Sequence, residues 1–345
     1  MAEKKSAYAQ AGVNIDVKMD AVGAIKQMVA ATKTQNVIGG IGAFGGLHRV
    51  PPGKDMILVA SSDGVGTKLK VAAMMNKHDT VGQDLVNHCV NDILVQGAKP
   101  LFFMDYVGTA KVDPAQFKQV VGGLCKACKE NRMALLGGET AEMPGLYPAG
   151  EYDLVGTIVG CVQRKNLITG KSIRAGDVII GFPSGGLQTN GFSLARRVIF
   201  DLSGYSWKDK LPGTNQTFGD ALLAVHRSFL RPVAKLMERK IHITGMAHIT
   251  GGGFPDNIPR VLPKCVNAEI DRASWDVPTI FKFIERQGRV DREEMYRVFN
   301  MGIGYVVIIQ KRDLVKATNI LKAQHQQYSV IGVCRKGTGV VTYRN

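Results

Sequence analysis

A chain of 345 residues with 45% hydrophobic content is long enough for two domains of ordinary size, which excludes a disordered polymer. Its formal net charge of +15 suits polyanionic partners, but the basic residues are scattered as pairs such as Arg164-Lys165 and Arg196-Arg197, and no Arg-rich tract interleaved with aromatics marks a nucleic-acid binder. No apolar run reaches the ~18 residues of a membrane span, and the 6 cysteines lack framework spacing, so a reducing, cytoplasmic setting is expected.

In chain order, the apolar pattern predicts a helix from about Asp20 to Thr32 and a strand from Met56 to Ala60. A helix from Thr80 to Gln96, a strand from Pro100 to Val107 and a helix from Pro114 to Asn131 follow. Short apolar runs then predict strands at Met133 to Leu136 and Leu154 to Val162. The polar, turn-rich stretch Arg164 to Asp177 reads as a junction, giving domains of 1–168 and 169–345. Beyond it, strands are expected at Val178 to Phe182, Gly245 to Thr250, Gly304 to Ile309 and Val330 to Cys334. Helices are expected at Phe192 to Phe200, Asp220 to Arg239, Pro278 to Gln287, Arg292 to Phe299 and Asp313 to Gln326. Alternation of this kind implies two consecutive α/β (α+β) domains.

Glycine, at 40 residues, is in excess and clusters in short runs where ligands are commonly held. Asp63-Gly64-Val65-Gly66-Thr67-Lys68 follows the first strand. Its glycines admit a phosphate to the backbone, Lys68 offers a point charge, and Asp63 is placed for a divalent metal. The spacing is not that of a Walker A loop. On the helix Thr80 to Gln96, Asp84, His88, Asn91 and Asp92 form a polar stripe among apolar residues. Acids in such a stripe call for either a metal or ligand or an internal network closed by a neighbouring Lys or Arg.

Gly137-Gly138-Glu139-Thr140-Ala141-Glu142 reads as a glycine-hinged loop bearing two further metal-ligand candidates, Glu139 and Glu142. Upstream, Gly39 to Gly46, with Gly42, Phe44 and Gly45 at its centre, reads as a flap able to close over a nucleotide. In the second half, Ser184 to Gly191 and Thr250-Gly251-Gly252-Gly253 each separate a strand from a helix and present backbone amides suited to phosphate. Cys125 and Cys128 continue the apolar face Phe117, Val120, Val121, Leu124 and read as core thiols rather than a zinc pair.

Taken together and in this order, these segments resemble aminoimidazole ribonucleotide synthetase, also called phosphoribosylformylglycinamidine cyclo-ligase, over nearly the whole chain. Asp63 to Lys68, Cys89-Val90-Asn91-Asp92, Gly137 to Tyr147 and His248 to Pro263 carry the resemblance. It implies conversion of formylglycinamidine ribonucleotide and ATP to aminoimidazole ribonucleotide, ADP and phosphate in purine biosynthesis. It also implies a homodimer whose first domains join strands in a closed β-barrel.

Carried over residue by residue, Asp63, Asp92 and Glu139 or Glu142 would hold magnesium, with potassium a further candidate cation. Lys26, Lys68, Gly64, Gly66, Thr67, Gly138 and the glycine flap would bind ATP. Asn190, Gly251, Gly252 and Gly253 would face the ribonucleotide. Lys26 and His248 are the catalytic candidates, His248 for proton transfer, with a satisfied structural histidine as the other reading. Where the family commonly has His-Ser-Asn-Gly this chain has Gln188-Thr189-Asn190-Gly191, and glutamine cannot relay a proton. The competing functions are a small-molecule kinase of the same superfamily and an inactive basic scaffold that binds nucleic acid.

Overall fold

The structure, a computed structural model, describes residues 24–38, 47–53 and 55–344. They form two compact units, one of residues up to Cys89 with Pro100–Cys161, the other of Val90–Lys99 with the residues from Val162 onward. The helix Val81–Leu94 runs from the first unit into the second.

In the first unit a short antiparallel pair, β1 (Val37–Ile38) and β2 (Leu47–His48), precedes a four-stranded sheet. Its strands β3 (Met56–Gly64), β4 (Lys99–Thr109), β5 (Ala134–Glu142) and β6 (Tyr152–Gln163) lie in the order β3-β6-β4-β5. Strands β4 and β5 are parallel and therefore need a crossover, which the helix Pro114–Glu130 supplies. Asp113 caps that helix by accepting from the amides of Ala115 and Gln116, with Pro114 in the first turn as the sequence signals. Along β6, Tyr152, Leu154 and Ile158 are buried while their neighbours are half-buried, so one face of the sheet is covered. Phe103 and Leu85 press on that face at Gly156, where an added Cβ would collide with the Phe103 ring. Alternation puts Leu58, Met104, Val155 and Thr157 on the other face, where Leu58 is 60% and Met104 39% exposed.

The second unit is built on six strands: β7 (Val178–Pro183), β8 (Ile243–His248), β9 (Val266–Asp271), β10 (Ile303–Ile309), β11 (Ser329–Lys336) and β12 (Val341–Arg344). Their order is β12-β9-β11-β7-β10-β8. Every pair is antiparallel except β12 with β9. All of β10 is buried, as its unbroken apolar run requires of a strand covered on both faces. On one of those faces Phe182, Met246, Tyr305 and Val307 pack with Val233 and Leu236 of the helix Leu230–Glu238 and with Leu321 of the helix Leu314–Ala323.

Three departures from the sequence reading bear on the site. The stretch 137–142 is not a loop, because β5 continues through it, paired residue for residue with β4. The helix expected from Asp220 to Arg239 is two helices, Phe218–Leu222 and Leu230–Glu238, joined by an irregular segment that contains His226. Strands β9 and β12 were not anticipated, since both are short and rich in polar residues.

Candidate functional site

In the first unit, β3 runs four residues past its predicted end at Ala60, which places Asp63 and Gly64 at the strand terminus. One Asp63 carboxylate oxygen accepts from the Gly64 amide at 2.7 Å and the other lies 2.8 Å from His88 Nε2. The carboxylate is 43% exposed and held by these two contacts. Gly66 takes φ +67°, and Thr67 occupies the N-cap position of the helix Lys68–Met75.

Lys68 departs from expectation. It is wholly buried, and its ammonium lies 2.8 Å from the equally buried carboxylate of Asp84. Burial lowers the Lys68 pKa while Asp84 opposes that shift. Its ammonium is therefore paired with Asp84, one acid of the helix stripe.

Glu139 is exposed on β5, with Oε1 accepting from the Thr140 amide, and Glu142 Oε1 accepts from the Val112 amide at 2.8 Å. Opposite Gly138 stands Asp105 of β4, which the sequence reading passed over. A side chain at 138 would run into the Asp105 carboxyl, and burial raises that carboxyl to about 7. Lys26 is exposed on the helical stretch 24–30. The expected flap, with Gly42, Phe44 and Gly45, lies outside the described residues.

In the second unit the last members of the stripe meet partners on other elements. Asn91 accepts from the Phe229 amide at 2.9 Å and donates to the Arg227 carbonyl at 2.8 Å, pinning the irregular segment between the two helices. Asp92 Oδ1 lies 2.8 Å from His248 Nδ1 at the end of β8. His248 Nε2 lies 3.0 Å from His226 Nε2, and His226 Nδ1 lies 3.4 Å from the hydroxyl of Thr189. Both rings are buried. His226 was missed because the apolar residues 221–225 read as a continuous helix. The signal available was a histidine and an arginine interrupting that face.

Asn190 donates to Thr189 Oγ1 at 3.4 Å and borders Gly251, where an added Cβ would touch its side-chain oxygen at 3.2 Å. Gly191, Gly251 and Gly252, with Asp256 and Arg297, line a hollow of about 750 Å³. Gly252 and Gly253 have φ +90° and +59°, and a Cβ on Gly253 would strike the Tyr296 carbonyl, so both positions require glycine. Of the residues expected to face a ribonucleotide, Gly251 and Gly252 line this hollow, while Asn190 borders Gly251. Gln188 is elsewhere, buried with φ +63° against β10 at Gly304.

Residues 44–162 match the family described as AIR synthase related protein, N-terminal domain, and residues 174–344 match its C-terminal domain. Among solved structures, thiamine-monophosphate kinase from Stenotrophomonas maltophilia aligns with a TM-score of 0.67 at 14% identity, covering 92% of this chain and 95% of that one. Hydrogenase maturation protein HypE in complex with ATP also reaches 0.67, at 16% identity, covering 93% and 90%. At such identities these likenesses concern the fold. Phosphoribosylformylglycinamidine cyclo-ligase of Alkaliphilus metalliredigens is 46% identical over 98% of both chains, and that of a Thermoanaerobacter species is 49% identical over 97% of this chain and 99% of its own. At that identity over nearly the full length of both chains, this protein belongs to the phosphoribosylformylglycinamidine cyclo-ligase family.

Proposed function

We propose that this chain is an ATP-dependent cyclo-ligase that converts formylglycinamidine ribonucleotide to 5-aminoimidazole ribonucleotide, releasing ADP and phosphate, in purine biosynthesis. The observation that carries the reading is similarity to cyclo-ligases through both halves of the chain at close to half identity. An amide oxygen is a poor leaving group. Transfer of the ATP γ-phosphoryl group to the formyl oxygen activates the carbon; a nitrogen of the same molecule attacks it, gives up its proton, and phosphate departs with the oxygen. Because nucleophile and electrophile share one molecule, the protein contributes mainly position and charge compensation.

The ribonucleotide is assigned to the hollow at Gly251 and Gly252, where Arg297 is the cationic lining residue beside Asp256, Glu293 and Glu294, with Asn190 bordering Gly251. Residues 1–168 are assigned to the nucleotide. Asp63 is the best-fitted magnesium ligand, since His88 orients its carboxylate, and Asp92, Glu139 and Glu142 complete the proposed set. Bound magnesium would neutralise phosphate charge. Lys26 remains the lysine proposed for the triphosphate.

The partly exposed sheet face bearing Leu58 and Met104 supports a homodimer, for which the proposed arrangement is a β-barrel closed by strands of both first domains. Among the described residues no helix is long and apolar enough to cross a membrane, and a cytoplasmic location is proposed. The test is formation of a diazotisable aminoimidazole from formylglycinamidine ribonucleotide, ATP and magnesium. Asp63→Asn is expected to need at least about tenfold more magnesium for half-maximal rate while keeping the wild-type melting temperature. Absence of product from the wild-type chain overturns the function; unchanged magnesium dependence of the variant removes Asp63 from the metal site.

A further inference from the structure

We propose that Arg297 binds the phosphate of the ribonucleotide in the hollow, and that Arg272 is a positioning residue that keeps Glu293 from neutralising it. The proposal rests on the cyclo-ligase reading and deepens it. Among the described residues lining the hollow, Arg297 is the single cation, against the acids Asp256, Glu293 and Glu294. It is exposed on the helix Arg292–Val298, with Glu293 and Glu294 four and three residues before it. A glutamate four residues ahead of a basic residue is the favoured order for an ion pair along a helix face. That pair is not made, and Arg297 has no ion pair or hydrogen bond among the described residues.

Glu293 is held from another element instead. Arg272, the residue after β9, donates from Nη1 to Glu293 Oε1 and from Nη2 to Glu293 Oε2, both at 2.6 Å. The Arg272 side chain is 3% exposed, whereas that of Glu293 is 66% exposed. Arg272 Cζ lies 4.3 Å from the centre of the Tyr296 ring and 3.6 Å from that of Tyr343 in β12, so two aromatic faces fix the guanidinium in its grip. A planar fork on both carboxylate oxygens, packed against rings, outcompetes a solvated pair between two side chains of one helix face. Arg297 thus presents its charge to the hollow, as a phosphate requires. Asp256 and Glu294, which can only accept when ionised, suit the ribose hydroxyls of the same ligand.

Calorimetric binding of ribose 5-phosphate to the full-length protein reads the phosphate contact without turnover. Arg297→Met is expected to weaken that binding at least about tenfold. Arg272→Met is expected to weaken it at least about fivefold, because Glu293 then turns its charge on Arg297 and on the phosphate. Arg272→Met with Glu293→Gln is expected to recover to within about twofold of wild type. In turnover the two single variants should raise KM for the ribonucleotide by similar factors, with kcat and KM for ATP changed less than about twofold. A merely structural Arg272 predicts no recovery on changing Glu293, and that result overturns the proposal. So does a rise in KM for ATP in place of the ribonucleotide, or an Arg297→Met protein of native melting temperature that binds ribose 5-phosphate as wild type does. Should Arg272→Met not fold, Arg272→Lys, which keeps a cation on Glu293, is expected to bind within about threefold of wild type; a tenfold loss in a folded lysine variant overturns the proposal. Product formed with a ribonucleotide KM unmoved by Arg297→Met overturns the proposal and leaves the cyclo-ligase reading intact, whereas ribose 5-phosphate binding without product overturns that reading alone.

Discussion

Lys68 shows how a residue's surroundings reassign its chemistry. Read in line after Asp63, it is a phosphate-binding lysine; buried on Asp84, it is one half of an internal ion pair. Removing one partner of such a pair leaves the other charged and without its counterion in the interior, at a cost of about 3–5 kcal/mol. Lys68→Met should therefore lower stability strongly in denaturant titrations. Lys68→Met with Asp84→Leu should recover most of the loss, an outcome that a phosphate-binding role for Lys68 does not predict.

Asp105 offers a second measurement. Its carboxyl titrates near 7 in the folded chain against an ordinary value of 3.8, because burial opposes its charge. Between those values the folded chain keeps a proton that the unfolded chain releases. The stability associated with this group is thus fully present below pH ~4 and is lost as pH rises toward 7, by at most about 1.4 kcal/mol per unit and less for a partly exposed group. Asp105→Asn should flatten the dependence of melting temperature on pH between 5 and 7, relative to wild type.

Among the elements, helix existence was legible wherever apolar spacing and caps agreed. Asp113-Pro114 announced one helix start, and the series from Phe117 to Cys128 its buried face, with Cys125 pushed up to about 12 by that burial. The limits of elements were harder to read. Strand β5 runs on through Gly137 to Glu142 because β4 offers it a hydrogen-bonding partner at each position, which local glycine content cannot reveal. The helix expected at Asp220 to Arg239 breaks because Asn91, 136 residues from Arg227 along the chain, offers the backbone a better partner than the next helical turn.

Close packing between elements has the same character. The N-terminal end of the helix Val81–Leu94 meets the helix Pro114–Glu130 at Gly82 and Gly123, where a Cβ on Gly82 would overlap the backbone of Val120 and sit 2.5 Å from the Leu124 nitrogen. Gly82→Ala gains helix propensity yet must push two backbones apart. A net loss of about 1–3 kcal/mol in thermal or denaturant unfolding is expected, the reverse of what propensity alone would give.

For the whole molecule, the four-stranded sheet keeps one covered face and one bearing Leu58 and Met104. Apolar residues gathered on a sheet face favour a partner. Leu58→Asp is expected to convert the proposed dimer into monomer in sedimentation; a sedimentation coefficient equal to that of wild type would place any dimer contact elsewhere.

By itself the sequence determined the composition of the two halves, most of their elements, the family, and the acid, amide and glycine segments that make up the candidate site. These are local properties, written in spacing and residue type. The tertiary structure decided which of those groups serve one another: Lys68 is committed to Asp84, Asp63 is aimed by His88, and His248 is held between Asp92 and His226. Such pairings join residues up to 156 positions apart, and a buried polar group takes whichever partner the fold brings within about 3 Å, which no local pattern encodes.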